Sequence, residues 1–306
     1  MPNTEIVVCE LCGSNQAQEL FVGADRLLGV TGEFRVQQCT FCGLIYTNPR
    51  PTSEALRDYY PDTYGVYAPE GGQAVRLSIY HQRLARKLSR IKTSQRRVLD
   101  IGCGDGAFLT EMKALGWQCK GLEMDEKAAK RARDERGLDI VNSTIDGTRF
   151  ESGSFDLIVL SHVLEHVPHP RQALRWVREW LTDDGYLFIT LPNVDSWERR
   201  RFGKDWYPWD IPRHFTHFSP STLSKLMAEE GFKPISTQFL TAFYLPQSMR
   251  YRRLAIASPV TSTASAKSPK EMIKTFVFRS LLTFGSIAGK AIHGEIMEVI
   301  ARKSTQ

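Results

Sequence analysis

Three glycines occupy alternate positions, at Gly102, Gly104 and Gly106, after a segment at 98–101 that holds three apolar residues and one acid. Glycine permits a sharp backbone turn and lets a ligand approach where a Cβ atom would otherwise stand. Apolar residues resume at helical spacing from Ala107, so the stretch predicts a buried strand, a glycine loop and the first turn of a helix. The free amide groups of such a helix suit anionic ligand atoms. The spacing also satisfies the dinucleotide-binding pattern G-x-G-x-x-[GA].

Acidic side chains accompany this loop at two places. Asp100 precedes the first glycine by two residues, where a carboxylate could meet the cationic amino acid portion of a ligand. Glu123 ends a second predicted strand, 19 residues beyond the middle glycine, where a carboxylate can accept hydrogen bonds from both hydroxyls of a ribose. A further predicted strand at 155–160 leads to Ser161 and to the histidine-containing run 162–166.

Over residues 97–232 the chain resembles the class I S-adenosylmethionine-dependent methyltransferases, on the strength of the glycine loop, the two acids and the strand that follows them. The resemblance implies S-adenosylmethionine as the cofactor, with Glu123 on the ribose, Thr144 and Ile145 beside the adenine, and Ser161 beside the methionine. Many members have an aspartate at the position of Thr144, so Ile145 is expected to contribute its backbone and a hydrophobic face. The full set of expected cofactor contacts is Asp100, Gly102, Gly104, Gly106, Glu123, Met124, Thr144, Ile145 and Ser161.

Four of the six cysteines form two pairs, Cys9-x-x-Cys12 and Cys39-x-x-Cys42, each followed by a glycine and separated by 26 residues. Two thiolates from each pair can bind one ion, and the glycine permits the tight turn. In a chain that begins without an apolar leader, such pairs predict a zinc site rather than disulfides. Four protein thiolates close a tetrahedral coordination sphere, so we expect a structural zinc in a zinc-ribbon module at 1–48. The alternative is two unrelated pairs of thiols.

From residue 97 onward, strands and helices are predicted to alternate. We expect helices at 107–115, 126–136 and 170–181, and strands at 140–142, 155–160 and 185–191. This alternation predicts an α/β fold with a parallel sheet between helices, whose ligands lie at the carboxyl ends of the strands. The resemblance implies a doubly wound, mostly parallel seven-stranded sheet of the Rossmann-like kind.

The chain is expected to have four parts. They are the zinc-ribbon module, a linker with a basic helix at 49–96, a cofactor-binding core at 97–245 and a C-terminal extension at 246–306. Within the linker, the aromatic-rich segment 56–64 could lie across the cofactor pocket as a lid. The extension is expected to hold a mobile loop at 258–270, an apolar helix at 273–292 and a closing strand at 295–303.

Candidate catalytic residues fall in two clusters. His162 and His166 follow the strand at 155–160, and Arg213 and His214 lie beyond the fifth predicted strand. A histidine there can act as general base toward a hydroxyl or an acidic carbon, worth about 10²–10⁴-fold in rate, and Arg213 can clamp a phosphate or carboxylate of the substrate. Structural roles for these histidines stay open, as do a reaction without a base and the choice of His217.

A narrower resemblance concerns the acceptor. The runs His-Val-Leu-Glu-His at 162–166, Leu-Pro-Asn at 191–193 and Pro-Arg-His at 212–214 are similar to those of methyltransferases that carry an N-terminal zinc ribbon and belong to polysaccharide or natural-product pathways. The sugar C-methyltransferases share this architecture. The resemblance implies methyl transfer to a hydroxyl or carbon of a small metabolite: a sugar, a nucleotide-sugar or a lipid-linked intermediate. The aromatic run at 206–209 could form an apolar wall beside it.

The distribution of charge keeps other functions open. The net charge is +6, and eight Arg or Lys without an acid lie at 71–97, where they could contact nucleic acid or anionic lipid. An RNA methyltransferase is the main alternative, although the loop after the fourth strand lacks the Asp/Asn-Pro-Pro-aromatic signature of many base-amino methylases, so nucleic acid is the less favoured partner. The others are a nicotinamide-dependent oxidoreductase and a non-catalytic cofactor-binding or scaffold protein.

The two ends of the sequence give predictions about the cellular location of the protein. The first residues show no basic or apolar leader, which predicts a cytoplasmic protein. Arg279 argues against a membrane span in the C-terminal apolar helix, which leaves packing on the core or a partner, or peripheral membrane contact. The sequence does not determine the oligomeric state.

Overall fold

The computed structural model describes residues 3–52, 54–60, 71–241, 243–256 and 294–304. The expected mobile loop, the expected apolar helix and the second half of the candidate lid lie outside these residues. The described chain contains a seven-stranded sheet, a four-stranded antiparallel sheet and a two-stranded antiparallel sheet. One hydrophobic cluster joins side chains of the two larger sheets.

The N-terminal segment contributes five short strands: β1 (Thr4–Glu5), β2 (Ala17–Gly23), β3 (Phe34–Cys39), β4 (Ile45–Thr47) and β5 (Arg50–Pro51). The remaining elements are α1 (Gly71–Leu88), β6 (Arg97–Ile101), α2 (Ala107–Ala114), β7 (Gln118–Glu123), α3 (Glu126–Asp134), β8 (Asp139–Asn142), β9 (Phe155–Ser161), α4 (Pro170–Trp180), β10 (Leu181–Pro192), α5 (Trp197–Phe202), β11 (Thr216–His217), α6 (Pro220–Glu229), β12 (Phe232–Leu240), α7 (Leu245–Ile256) and β13 (Ile296–Lys303).

The large sheet has seven strands in the order β12-β13-β10-β9-β6-β7-β8. The five strands from β10 to β8 pair in parallel, and β13 pairs antiparallel with both β10 and β12. The mostly parallel seven-stranded sheet expected from the resemblance is therefore confirmed. The expected helices and strands of the core are present, with bounds that differ by a few residues.

The C-terminal strand β13 lies inside this sheet. It fills the position between β10 and β12, and its Met297, Val299 and Ala301 are buried. The expected closing strand at 295–303 thus completes the sheet of the core, although the expected boundary at residue 245 assigns it to the extension. Local sequence could indicate the strand but not its place in the sheet.

Apolar periodicity explains how the layers form. The central strands β6 and β9 are buried on both faces, as expected for parallel strands covered by helices. Helix α4 turns Ala173, Leu174, Val177 and Trp180 inward at helical spacing. At its start, α3 is capped by Asp125, whose carboxylate accepts a hydrogen bond from Ala128 N at 2.7 Å.

The N-terminal segment is continuous with the core. Strands β2, β3 and β4 form an antiparallel sheet whose fourth strand is β11, contributed by the core. Cys9, Leu11 and Tyr46 share a hydrophobic cluster with core residues. The module expected at 1–48 is therefore structurally bound to the core rather than a separate unit.

Helix α1 leads into the sheet with its apolar side inward. Leu84, Ala85 and Leu88 are buried, and Lys87 pairs with Glu298 at 2.7 Å. Lys87 of the basic stripe therefore contributes to the fold. Among the described residues, no helix is long and apolar enough to cross a membrane.

Candidate active site

The glycine loop joins β6 to α2, and all three of its alternating glycines have a positive φ. A Cβ at Gly102 would lie 2.5 Å from Val163 Cγ2, and one at Gly106 would lie 2.3 Å from Leu138 Cδ1. Around Gly104, in contrast, no atom lies within 4 Å of a built Cβ. Gly102 and Gly106 thus permit close packing, whereas Gly104 leaves room for a ligand to approach the backbone.

Glu123 stands at the carboxyl end of β7 and faces the loop. Its Oε2 accepts a hydrogen bond from Gly104 N at 2.8 Å, and its Oε1 accepts one from Asp125 N at 2.8 Å. Burial raises the pKa of this carboxyl, although these amides lower it. The carboxylate is therefore fixed at the strand end, as a group that binds ribose hydroxyls requires.

Asp100 is buried near the carboxyl end of β6. Burial and the neighbouring Glu123 raise its pKa well above the ordinary value. Its Oδ1 has no hydrogen-bond partner among the described residues. Buried polar atoms are normally paired, so an unpartnered carboxylate oxygen near this strand end fits a polar ligand. A cationic group would satisfy Asp100 best.

The other expected cofactor contacts surround the same sheet edge. Met124 follows Glu123 and is partly exposed, and Ile145 is buried just beyond β8. Thr144 Oγ1 accepts a hydrogen bond from Gly147 N at 3.3 Å, so a turn already uses this hydroxyl. Ser161 ends β9 and is partly buried.

His162 follows β9 in an uncommon conformation. Its φ is +57°, in the left-handed region that bulky residues rarely adopt. Its Nδ1 lies 3.2 Å from Glu165 Oε1, and its side chain is 28% exposed. When the buried carboxylate accepts a hydrogen bond from Nδ1–H, the lone pair of the imidazole is on Nε2. Nε2 can then remove a proton from the hydroxyl that receives the methyl group. The backbone strain at His162 is of the kind found at functional sites.

Glu165 and Tyr244 were not selected from the sequence. Glu165 had a signal, since its spacing of three residues from His162 places the two side chains on one turn. Tyr244 packs edge-on against the ring of His162, with 6.3 Å between centroids, and comes from a segment 82 residues further along the chain. No sequence pattern indicates that contact.

His214 is buried in the interior of the protein. It is 7% exposed, and its Nδ1 donates to the Pro208 carbonyl at 2.8 Å. Burial lowers its pKa to about 3. Its imidazole is enclosed by protein, which does not favour the predicted direct action of His214 on an acceptor.

His166 lies against His214, with 4.4 Å between ring centroids. Its Nδ1 is hydrogen-bonded to the Arg213 carbonyl at 3.2 Å and to the Tyr60 hydroxyl at 2.8 Å. Burial, together with the neighbouring His214, lowers its pKa to about 4. In the described part of the candidate lid, Tyr60 contacts His166, and Tyr59 is buried in the interior.

Arg213 is also not free for a substrate. Its side chain is 0% exposed, and its NH2 donates to Asp25 and Asp210 at 2.6 Å each. It also donates to the carbonyl of Tyr59. The expected substrate clamp is thus a structural tie between the N-terminal segment and the core. The buried carboxylate of Asp25 and the partly buried one of Asp210 explain why a cation lies here.

An aromatic cavity of about 390 Å³ lies between β2 and the aromatic run at 206–209. Trp206, Tyr207 and Trp209, which belong to the aromatic run considered as an apolar wall, line it from the core. Phe21 lines it from β2. The Tyr207 ring contacts Tyr244 at 5.4 Å, and Tyr244 contacts His162. A row of aromatic rings thus connects the cavity wall with His162.

The four N-terminal cysteines converge on one point. Cys9 Sγ lies 3.4 Å from Cys42 Sγ, and Cys12 Sγ lies 3.5 Å from Cys39 Sγ. All four sulfur atoms lie within 4.8 Å of one another, and none forms a disulfide. The glycine after each pair has a positive φ, as the tight turns require. The arrangement is compatible with a tetrahedral metal site.

Comparison with known proteins agrees with this geometry. A family model described as a methyltransferase domain matches residues 76–237. A ubiquinone biosynthesis O-methyltransferase of Xanthomonas axonopodis pv. citri is 33% identical over 117 residues, or 36% of this chain and 49% of the relative. The corresponding protein of Thiobacillus denitrificans is 28% identical over 178 residues, or 54% and 75%. The chain thus spans about half the length of the first relative and three quarters of the second.

A solved structure from Bacillus halodurans, named as a methyltransferase, has a TM-score of 0.51 at 14% identity, and the match covers 73% of this chain and 99% of that one. At this identity the likeness concerns the fold alone. The family model, however, matches more than half of the 306 residues and includes the glycine loop, Glu123 and His162. The chain therefore belongs to the methyltransferase-domain family and has the class I S-adenosylmethionine-dependent methyltransferase fold.

Proposed function

We propose that this protein is an S-adenosylmethionine-dependent O-methyltransferase that acts on a small molecule. The observation that carries the proposal is the placement of two features at one edge of the sheet. The ligand-accessible glycine loop with Glu123 and Asp100 lies at the ends of β6 and β7, and the His162–Glu165 pair follows the neighbouring strand β9. The curated relatives, which are named as O-methyltransferases, support transfer to oxygen.

The residues present fit the cofactor. Glu123 would hold the ribose hydroxyls, Gly104 would admit the ligand to the backbone, and the unpartnered Asp100 carboxylate would meet the amino group. Met124, Thr144 and Ile145 would border the adenine, and Ser161 the methionine. Bound S-adenosylmethionine supplies a methyl group activated on a sulfonium. The protein then has to hold the acceptor in line with it, and such positioning is worth about 7–11 kcal/mol.

His162 would act as the general base. Glu165 accepts the Nδ1 proton and holds the imidazole in the tautomer whose Nε2 can remove the proton of an acceptor hydroxyl. The same carboxylate stabilises the imidazolium that results. A base of this kind is worth about 10²–10⁴-fold in rate.

For the acceptor we propose a small hydroxyl-bearing molecule. The relatives belong to ubiquinone biosynthesis and do not favour the sugar, nucleotide-sugar or lipid-linked acceptors expected from the narrower resemblance. The aromatic cavity offers rings on two sides to a planar body, and Arg26, Lys204 and Asp210 add charged groups to its lining. No contact or cavity of the described residues favours the alternatives of an RNA methyltransferase or a non-catalytic scaffold protein.

We also propose that the four cysteines bind a structural zinc ion. Zinc–sulfur bonds of about 2.3 Å in a tetrahedron place the sulfur atoms about 3.8 Å apart. The two sulfur pairs at 3.4 and 3.5 Å need little movement to reach this. Four thiolates leave no open position, so the ion would stabilise the fold without taking part in the reaction.

Calorimetric titration with S-adenosylmethionine and S-adenosylhomocysteine tests the cofactor, and a panel of catechols, phenols, sugars and RNA tests the acceptor. We expect micromolar binding of both nucleosides and methylation of a phenolic hydroxyl. His162→Gln should lower kcat at least about 100-fold with the cofactor affinity unchanged. The matched control is His169→Gln, since His169 is an exposed histidine paired with Glu10. Absent cofactor binding by the folded, zinc-containing protein would contradict the proposal.

A further inference from the structure

The N-terminal segment holds the turn at 162–169, between β9 and α4, from two sides. On one side, the amide of Phe215 donates a hydrogen bond to the carbonyl of Glu165 at 2.8 Å. The carbonyl of Phe215 accepts a hydrogen bond from the amide of Thr47, the last residue of β4, at 2.9 Å. The backbone of the N-terminal segment is therefore connected to Glu165 through a single residue of the core.

Arg50 holds the other side of this turn. Its side chain is 2% exposed, and its NH1 donates to the carbonyl of Pro168 at 2.6 Å. Its Nε donates to Glu5 of β1 at 2.8 Å, so a carboxylate compensates the charge of the buried guanidinium. The guanidinium carbon also lies 5.3 Å from the centroid of the Phe215 ring. Arg50 thus contacts the core on both sides of Glu165, which a planar cation with several fixed donors can do.

A second arginine connects the start of α4 with the first cysteine pair. Arg171 NH2 donates to the carbonyl of Leu11 at 2.7 Å, and Leu11 lies between Cys9 and Cys12. Helix α4 begins at Pro170, directly after the turn. The hydrogen bond of Arg171 therefore fixes the end of the turn relative to the cysteine loop.

The position of this turn matters because Glu165 holds the imidazole of His162. The carboxylate of Glu165 is buried, and its Oε1 lies 3.2 Å from His162 Nδ1. This distance is at the long end of the range for N–H···O hydrogen bonds, so a further displacement of a few tenths of an ångström weakens the bond. The N-terminal segment thereby bears on the orientation of the imidazole.

We propose that Arg50 and Arg171 are positioning residues for the methyl transfer. They fix the turn of Glu165 to the N-terminal segment and, through Glu165, hold the imidazole of His162 toward the acceptor. This inference rests on the proposed function, in which His162 is the base. The hydrogen bonds of the two arginines to the turn and to the cysteine loop do not involve the glycine loop, so the affinity for S-adenosylmethionine should not depend on them.

The test compares Arg50→Met with Arg97→Met. Arg97 pairs with the buried Asp156 at 3.2 Å, at the amino ends of β6 and β9, so its loss destabilises the fold at the opposite edge of the sheet. Arg50→Met should lower kcat for the methylation of catechol roughly 10–100-fold, because a misplacement of about 1 Å can cost about 100-fold. KM and the affinity for S-adenosylmethionine should not change. Arg97→Met should lower the Tm and keep kcat.

Proton NMR provides a readout that does not need turnover. The Nδ1 proton of His162, assigned by its loss in His162→Gln, should give a downfield signal in the unsubstituted protein and in Arg97→Met. The signal should be lost in Arg50→Met. Arg50→Lys keeps a donor for the carbonyl of Pro168 and should restore part of the signal and of kcat. Absent binding of S-adenosylmethionine would contradict the proposed function, whereas the NMR comparison would still decide whether Arg50 positions His162.

Should Arg50→Met fail to fold, Arg171→Met tests the second connection. Its matched control is Arg175→Met, since Arg175 lies on the same helix and pairs with Glu230, as Arg171 also does. The kcat and the imidazole signal should fall in Arg171→Met and stay unchanged in Arg175→Met. Folded Arg50→Met or Arg171→Met with an unchanged imidazole signal, or with a kcat no lower than that of its control, would overturn the proposal.

Discussion

Replacement of Arg213 by methionine tests whether this arginine ties the N-terminal segment to the core. Methionine keeps much of the side-chain length but removes every donor. Asp25, whose side chain is fully buried, would then lose its two ion-pair hydrogen bonds of 2.6 and 2.9 Å. Removing one partner of a buried pair costs about 3–5 kcal/mol, because the other charge is left uncompensated.

The structure places this substitution near the lower end of that range. Asp25 keeps hydrogen bonds from the amides of Leu27, Leu28 and Val30. A loss of about 3 kcal/mol corresponds to a fall in Tm of roughly 6–10 °C for a chain of this size. The control is Arg175→Met, which breaks a half-exposed pair with Glu230 and should cost at most about 1 kcal/mol.

Urea unfolding over a range of pH measures the effect. Burial opposes ionisation of Asp25, but the Arg213 guanidinium outweighs it and holds the pKa of Asp25 below its ordinary value of 3.8. A carboxyl with a lowered folded-state pKa stabilises the fold above its unfolded pKa and loses this contribution as pH falls through the folded value. The difference between Arg213→Met and the unsubstituted protein should therefore be full at pH 7 and shrink below about pH 4.

The combination of Arg213→Met with Asp25→Asn distinguishes a structural role of Arg213 from a role as a substrate clamp. Asparagine removes the uncompensated charge and still accepts the backbone hydrogen bonds, so the double substitution should cost less than the sum of the single ones. An unchanged Tm in Arg213→Met, together with a raised KM for the acceptor, would refute the structural role and restore that of a substrate clamp.

Three further substitutions test other parts of the molecule. Glu123→Ala should weaken S-adenosylmethionine binding at least roughly 10–100-fold in calorimetry, because even one hydrogen bond to a charged group contributes about 1.5–3 kcal/mol; an unchanged affinity would contradict its assignment to the ribose. Cys12→Ser should lower the zinc content and the Tm together, and a normal Tm in zinc-free protein would exclude a structural metal. Glu295 should make the protein less stable as pH rises from about 4.5 to about 8, since burial and the nearby Glu198 raise its pKa to about 8 and only the unfolded chain loses the proton in that range. Glu295→Gln should remove a slope of up to about 1.4 kcal/mol per pH unit in urea unfolding, and an unchanged slope would assign the pH dependence elsewhere.

The sequence alone was sufficient for features that depend on neighbouring residues. The alternate glycines predicted the loop between β6 and α2, the apolar runs predicted the buried strands, and the two Cys-x-x-Cys pairs predicted the sulfur cluster. Turns need particular φ values, and strands need particular periodicity, so both leave a local pattern. The position of Glu123 at a strand end followed from the same local signals.

Other features depended on contacts between distant segments. Arg213 and His214 stand in a segment rich in histidine and aromatic residues, which suggested a substrate site, yet both are buried. Arg213 pairs with Asp25 of the N-terminal segment, and the ring of His214 contacts Pro208 and His166. Conversely, Glu165 gains its part in the site because a buried carboxylate lies beside His162. The sequence places β13 at the end of the chain, and only pairing places it between β10 and β12. Burial and charge pairing depend on which surfaces meet in three dimensions, and so the tertiary structure alone decided which polar side chains face a ligand and which hold the fold together.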